Sequence, residues 1–134
     1  MQLIGAPLVI WVEKPTWYSC ALDILAHAIY LLKKIKPRNI LEIGTSDRIT
    51  IHKLSSSFKS KCYGLDISSD ALKKGLNFAT KNLKNINYYG VAADFHNLPF
   101  RDNYFDFVFC SASLHHTYKL KKVLNEVKRV LRKD

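Results

Sequence analysis

What the chain has little of narrows it first. It has three cysteines, Cys20, Cys62 and Cys110, well separated and without paired spacing, so no disulfide framework, zinc site or redox pair is expected. They are expected to be reduced core thiols of a cytoplasmic protein. The five histidines show no zinc-type spacing either, and no metal is expected. No apolar run is long enough to cross a bilayer. The stretch Leu3 to Val12 is interrupted by Gly5 and Pro7, follows no basic residues, and suits a strand or extended arm better than a targeting signal. Five glycines leave no glycine repeat of the kind that seats a pyrophosphate, which counts against a nicotinamide dinucleotide domain. Acidic residues are scarce, 11 against 21 basic ones, and the resulting net charge of +10 raises nucleic acid or an anionic surface as a partner. Yet lysines such as Lys33, Lys59, Lys73, Lys84 and Lys122 are spread over several predicted elements and only five residues are arginine, so nucleic acid is not favoured.

The segment Asn39-Ile-Leu-Glu-Ile-Gly-Thr-Ser-Asp-Arg-Ile-Thr50 organises what is present. Ile40, Leu41 and Ile43 form the short continuous apolar run of a parallel strand covered on both faces. Gly44 permits a sharp turn, and Ser46 or Asp47 is placed to cap the helix that follows. Helix amides and the positive dipole end would then face whatever sits above the strand, which suits a carboxylate or phosphate.

Around this unit, Thr16 to about Ile35 carries an amphipathic stripe stopped by Pro37. Ile51, Leu54 and Phe58 share a helical face. Lys61 to Asp66 is predicted as a strand ending in a carboxylate, and Ser68 or Ser69 as the cap of a helix with Leu72, Leu76, Ala79 and Leu83 inward. Ile86 to Val91 and Tyr104 to Cys110 supply two more strands, separated by a loop containing Asp94 and Pro99. Leu120, Val123, Leu124, Val127 and Leu131 mark a final helix with a basic outer face. Alternating strands and helices imply an α/β sheet, mostly parallel, with its ligand crevice at the carboxyl ends of the strands. At 134 residues and 48% hydrophobic the chain suits one domain, with 1–36 an N-terminal arm and helix and 37–134 the core.

LEIG at 41 to 44, YGLDIS at 63 to 68, AADFHNLPF at 92 to 100, NYFDFVFCSASLHH at 103 to 116 and VLNEVKRVLRKD at 123 to 134 together resemble the class I S-adenosylmethionine-dependent methyltransferases, particularly the quinone-biosynthesis-like group acting on small molecules. The resemblance implies a Rossmann-like three-layer sandwich with core strands in the order 3-2-1-4, and S-adenosyl-L-methionine as cofactor. It implies that Asp66 accepts the ribose hydroxyls, that Asp94 accepts from the adenine amino group beside Phe95, and that Glu42 and the turn from Gly44 through Ser46 to Asp47 face the methionine end. Ile67 and Ser111 join the implied cofactor contacts, and His115 or His116 would serve the methyl acceptor. The Asn-Pro-Pro-aromatic signature of amino-group methyltransferases is replaced by Cys110-Ser-Ala-Ser113, which points away from a nucleobase acceptor.

Two departures from the family stand out. The turn has Thr45, Ser46, Asp47 and Arg48 where the family repeats glycine, a loss that would narrow the pocket; Arg48 either compensates by pairing with the methionine carboxylate or is a surface residue. The later strands of the family are missing, so the fourth core strand is expected at an edge, to be covered by a homo-oligomer, a partner chain or the arm Leu3 to Val12. The expected function is methyl transfer to a small-molecule acceptor. The alternative is a catalytically inactive or fragmentary S-adenosylmethionine-binding module.

Overall fold

The computed structural model describes residues 8–10, 29–47, 49–110 and 114–133, with the backbone alone at 8–10 and 115. In chain order these form β1 (Leu8–Ile10), a helix over 29–35 (α1), β2 (Asn39–Ile43), α2 (Thr50–Phe58), β3 (Lys61–Asp66), α3 (Ser69–Asn82), β4 (Tyr88–Ala92), β5 (Phe107–Cys110), a 3-10 turn (Leu114–His116) and α4 (Leu120–Val130). The positions of the predicted N-terminal helix from Thr16 to Ala28, including Cys20, lie outside the described residues.

All strand pairs are parallel, in the order β1-β5-β2-β3-β4. The four core strands therefore take the expected 3-2-1-4 arrangement. The edge left by β5 is covered by the arm itself: Leu8, Val9 and Ile10 pair with Val108, Phe109 and Cys110. A strand pairing that was also expected from a second chain is thus met within this one.

Two apolar layers enclose the sheet. Leu41, Ile43, Leu65, Val108 and Cys110 face Val123, Val127 and Val130 of α4. On the opposite face Ile40, Cys62, Phe107 and Phe109 pack with Leu32 of α1 and Ile51 and Leu54 of α2. Strand residues alternate between the two layers because successive side chains point to opposite faces of a pleated strand. The alternation breaks at Phe105, which belongs with the α4 layer although Phe107 and Phe109 lie on the other side. The strand expected from Tyr104 begins only at Phe107, and Phe105 makes an isolated bridge to Leu131. The kink falls at Asp106, whose carboxylate accepts from the amides of Arg38 at 2.7 Å and Asn39 at 2.9 Å. The Asp106 amide still donates to the Asn39 carbonyl at 3.0 Å, so the carboxylate adds a side-chain anchor to the backbone bond and Asp106 has a structural role.

Two smaller expectations are corrected. Leu76 is among the exposed large hydrophobic residues, while Leu72, Gly75 and Ala79 form the inward stripe of α3, a spacing that carries Leu76 to the rim. The third core strand starts at Tyr88, two residues later than its apolar pattern suggests.

Glycine is required at position 64 by packing. A Cβ there would lie 2.7 Å from both the Thr45 hydroxyl oxygen and the Tyr88 hydroxyl oxygen, and 2.8 Å from Tyr88 Cε2. The ring of Tyr88 fills the space that a side chain on β3 would occupy. Gly64→Ala is expected to lower stability by roughly 1 to 3 kcal/mol through overpacking, despite the better strand propensity of alanine. A denaturant midpoint unchanged from the wild type would show that the Tyr88 ring yields freely.

Candidate functional site

The turn after β2 is built by conformations that few side chains adopt. Gly44 has φ 77°, and Ser46, two residues on, has φ 54°, left-handed backbone that costs a serine roughly 1 to 2 kcal/mol. The chain tolerates this because the turn is tied sideways to β3. The amides of Gly44 and Thr45 donate to the Leu65 carbonyl at 2.8 and 3.1 Å, and the amide of Ser46 donates to Asp66 Oδ2 at 2.8 Å. Neither Ser46 nor Asp47 caps α2. The N-cap is Ile49, with no side-chain cap hydrogen bond, and the first turn holds no acidic residue. Three turn amides are thus spent on β3, while the amino end of α2 has no side-chain cap among the described residues and keeps its positive dipole end. A concavity of about 460 Å³ lined by Asp47, Ile49, Thr50 and Phe78 opens against that end. Arg48 lies outside the described residues.

Asp66, at the carboxyl end of β3, accepts from two backbone amides, Ser46 on one oxygen and Ser68 on the other at 2.9 Å. Ser68 in turn caps α3, accepting from the Ala71 amide at 3.2 Å, as its position predicts. Beside Asp66 the side chain of Ile67 is 77% exposed, an apolar surface held at the mouth of the sheet. Asp94 follows β4, with one carboxylate oxygen accepting from the His96 amide at 2.8 Å and contacting His96 Nδ1 at 2.6 Å. The backbone amide and then the ring of His96 hold the Asp94 carboxyl below its usual range. Phe95 is half-buried and stacks on His96 with ring centroids 4.8 Å apart. Gly44, Ser46, Asp66, Ile67, Asp94 and Phe95 therefore share one end of the sheet.

The loop bearing Asp94 is braced by two residues of α4, a helix whose outer face reads in the sequence only as basic. Glu126 accepts from the Leu98 amide at 2.8 Å, and Arg129 donates to the carbonyls of Leu98 at 2.9 Å and Phe100 at 2.7 Å while pairing with Glu126 and Asp102. The guanidinium beside it lowers the Glu126 carboxyl. His96 Nε2 reaches the Thr117 hydroxyl at 2.6 Å, so the same loop is joined to the chain after β5. No spacing rule links Arg129 to residue 98; a Glu-x-x-Arg pair on the last helix was the available signal. His116 is exposed in the 3-10 turn. Ser111 and the side chain of His115 lie outside the described residues.

Glu42 is fully buried beneath the turn, on the α2 face of the sheet in register with Gly64 and Phe109. Its charge is felt by its neighbours: burial first and Glu42 second push the thiols of Cys62 and Cys110 up to about 12, and likewise the Tyr88 phenol. Such thiols are inert at neutral pH. His52 of α2 is also fully buried, its ring tilted against Tyr88 with centroids 4.0 Å apart, and burial lowers its pKa below 6.5.

Residues 41–134 match the family described as a methyltransferase domain. The chain is similar to the uncharacterized methyltransferase YcgJ of Bacillus subtilis, 30% identical over 96 residues that make up 71% of this chain and 37% of that protein. Similarity to the demethylmenaquinone methyltransferase of Thermotoga maritima is 30% over 110 residues, 80% of this chain and 44% of the other. The crystal structure of YcgJ superposes with a TM-score of 0.69 at 26% identity, over 83% of this chain and 47% of that one. This chain spans less than half the length of these relatives.

Ser46→Gly keeps the amide that donates to Asp66 and removes left-handed strain of roughly 1 to 2 kcal/mol against roughly 0.5 to 1 kcal/mol of extra backbone entropy lost by glycine, so stability is expected to rise by about 1 kcal/mol or less, with affinity for S-adenosylhomocysteine equal or higher. A severalfold loss of affinity would make the serine hydroxyl a ligand. His52 gives a pH dependence of defined sign. Its folded pKa lies below the unfolded value, so its contribution to stability is complete above the unfolded pKa of about 6.5 and is lost as pH falls below it. The denaturant midpoint of the wild type should drop between neutral and mildly acidic pH more than that of His52→Leu; parallel profiles would remove His52 from the account.

Proposed function

The chain belongs to the methyltransferase domain family, and on that premise we propose that it binds S-adenosyl-L-methionine and transfers the methyl group to a small-molecule acceptor. The observation that carries this reading is the contact from the Ser46 amide to Asp66 Oδ2 at 2.8 Å, which holds the glycine turn of β2 and the acidic end of β3 as one mouth. The residues present fit the cofactor. An ionised carboxylate offers about four acceptor positions, so Asp66, with two amides bound, retains room for two ribose hydroxyls. Ile67 provides an apolar surface for the adenine ring, Asp94 has its second oxygen for the amino group, and Phe95 lies beside it. The uncapped amino end of α2 suits the carboxylate of the methionine moiety, with Gly44, Ser46 and the buried Glu42 beneath it.

When bound, S-adenosyl-L-methionine supplies an electrophilic methyl on a sulfonium sulfur. The part played by the chain is to bind, orient and exclude water, since methyl transfer to a well-placed acceptor depends chiefly on positioning and desolvation. Ser111 is proposed at the cofactor and His115 or His116 at the acceptor, all in the segment after β5; one histidine would hold the acceptor or take its proton. The name of the Thermotoga relative supports a small-molecule acceptor. A single domain in the cytoplasm accords with the free buried thiols of Cys62 and Cys110, and no helix among the described residues is long and apolar enough to cross a membrane.

Calorimetric titration with S-adenosylhomocysteine tests the proposal. Asp66→Ala is expected to weaken binding on the order of tenfold to several hundredfold, because a hydrogen bond to a charged acceptor is worth about 1.5 to 3 kcal/mol and about 1.4 kcal/mol is one factor of ten. His116→Ala should leave that affinity intact and change only turnover. Small and equal effects from both would overturn the assignment of the pocket and leave an inactive binding module as the better description.

A further inference from the structure

The cations that lie scattered along the sequence converge at the end of the sheet opposite the proposed cofactor mouth. Lys36, Arg38, Lys59, Lys61, Arg101 and Arg132 all line one concavity of about 620 Å³, and no acidic side chain lines it among the described residues. Topology brings them together. In a parallel α/β sheet the helices end where the strands begin, so Lys36 after α1, Lys59 after α2, Arg38 before β2 and Lys61 opening β3 meet at one rim. Arg101 arrives from the loop ahead of β5 and Arg132 from beyond α4.

Local structure accounts for only part of this charge. Lys36 and Lys59 follow helix ends in left-handed conformations, φ 50° and 52°, where a cation complements the negative dipole end. Asp106 pairs with Arg132 at 3.0 Å, but its other oxygen is occupied by the amides of Arg38 and Asn39, so it offsets one cation. Arg38, Lys61 and Arg101 have no carboxylate partner among the described residues. Two guanidinium groups are already oriented, Arg132 by Asp106 and Arg101 over the Tyr104 ring with its guanidinium carbon 5.0 Å from the centroid. Like charges gathered round a hollow repel one another unless an anion enters, and oriented guanidinium forks match phosphate oxygens.

We propose that the amino-terminal end of the sheet is a binding site for a compact ligand carrying two or more phosphate groups. The volume is that of a small-molecule site, which lies in the range of about 300 to 1,000 Å³, and not of an extended groove for a nucleic-acid strand. One phosphate would leave most of the charge uncompensated. A free oligophosphate and a phosphorylated lipid head group share the required chemistry. The site is independent of the methyltransferase reading, and binding of S-adenosylhomocysteine serves as its control.

The test is calorimetric titration of the full chain with inorganic tripolyphosphate and with monophosphate at fixed low ionic strength. Tripolyphosphate should bind at least about tenfold more tightly. The double variant Lys61→Gln/Arg101→Gln should lose about tenfold or more of that affinity. Lys73→Gln/Lys74→Gln, which removes the same charge from exposed positions on α3, should lose none, and both should bind S-adenosylhomocysteine like the wild type. Flotation with neutral vesicles carrying a phosphoinositide bisphosphate separates the sources: capture that tripolyphosphate reverses identifies a lipid head group, and no capture identifies a free ligand. Equal affinity for the two phosphates would overturn the proposal, as would equal losses in both double variants. Single-stranded RNA binding more tightly than tripolyphosphate and weakened alike in both would do the same, leaving only diffuse charge.

Discussion

A backbone amide at the top of one strand is satisfied by a carboxylate at the top of the next, and the upper end of the sheet depends on that bond. Because the Ser46 amide donates to Asp66 at 2.8 Å, the chain leaving β2 is drawn over β3 before it can enter α2. The sideways path demands positive φ at Gly44 and Ser46, uses the amides of Gly44 and Thr45 on the Leu65 carbonyl, and delays α2 to Thr50 with no side-chain cap. A carboxylate that binds two backbone amides is also one held in place and aimed, which is what recognition of a diol requires. The same contact thus shapes the turn and prepares the acceptor.

Beneath the turn the interior is polar where most sheets are oily. Glu42, Thr45 and His52 are fully buried, and Tyr88 lies along the sheet in the space freed by Gly64. Polar groups in such a place resist repacking, since each was desolvated on folding and a substitution strands its neighbours. The loop after β4 is held by a different device, an arginine fork from α4 on two backbone carbonyls, with Glu126 on the Leu98 amide. The mouth is therefore supported from both sides of the sheet, by the buried layer on the α2 face and by α4 on the other.

The polarity of a parallel sheet divides the molecule into two ends of different electrostatic character. Strand carboxyl ends bear Asp66 and Asp94 beside the amino ends of helices. Strand amino ends gather lysine and arginine beside helix carboxyl ends. A sequence with a net charge of +10 can thus present acidic acceptors at one end without scattering them among its cations.

Much of this was legible along the chain because it depends on near neighbours. The run Ile40 to Ile43 specified a strand covered on both faces, Gly44 a turn, Ser68 a cap, and the alternation of strand and helix a parallel sheet with its mouth at Asp66 and Asp94. Contacts between residues distant in sequence were not legible. Asp106 binding the amides of Arg38 and Asn39 marks the end of a strand that the aromatic pattern extends to Tyr104, and although the arm was one candidate for the edge of β5, only the fold selects it over a second chain. Residue types and their periodicity determined which elements form and which ends carry acid, since these follow from local sterics and burial. Tertiary structure alone decided where backbone donors are spent and which charges meet, because a hydrogen bond or a cluster of cations is fixed by distance in space and not along the chain.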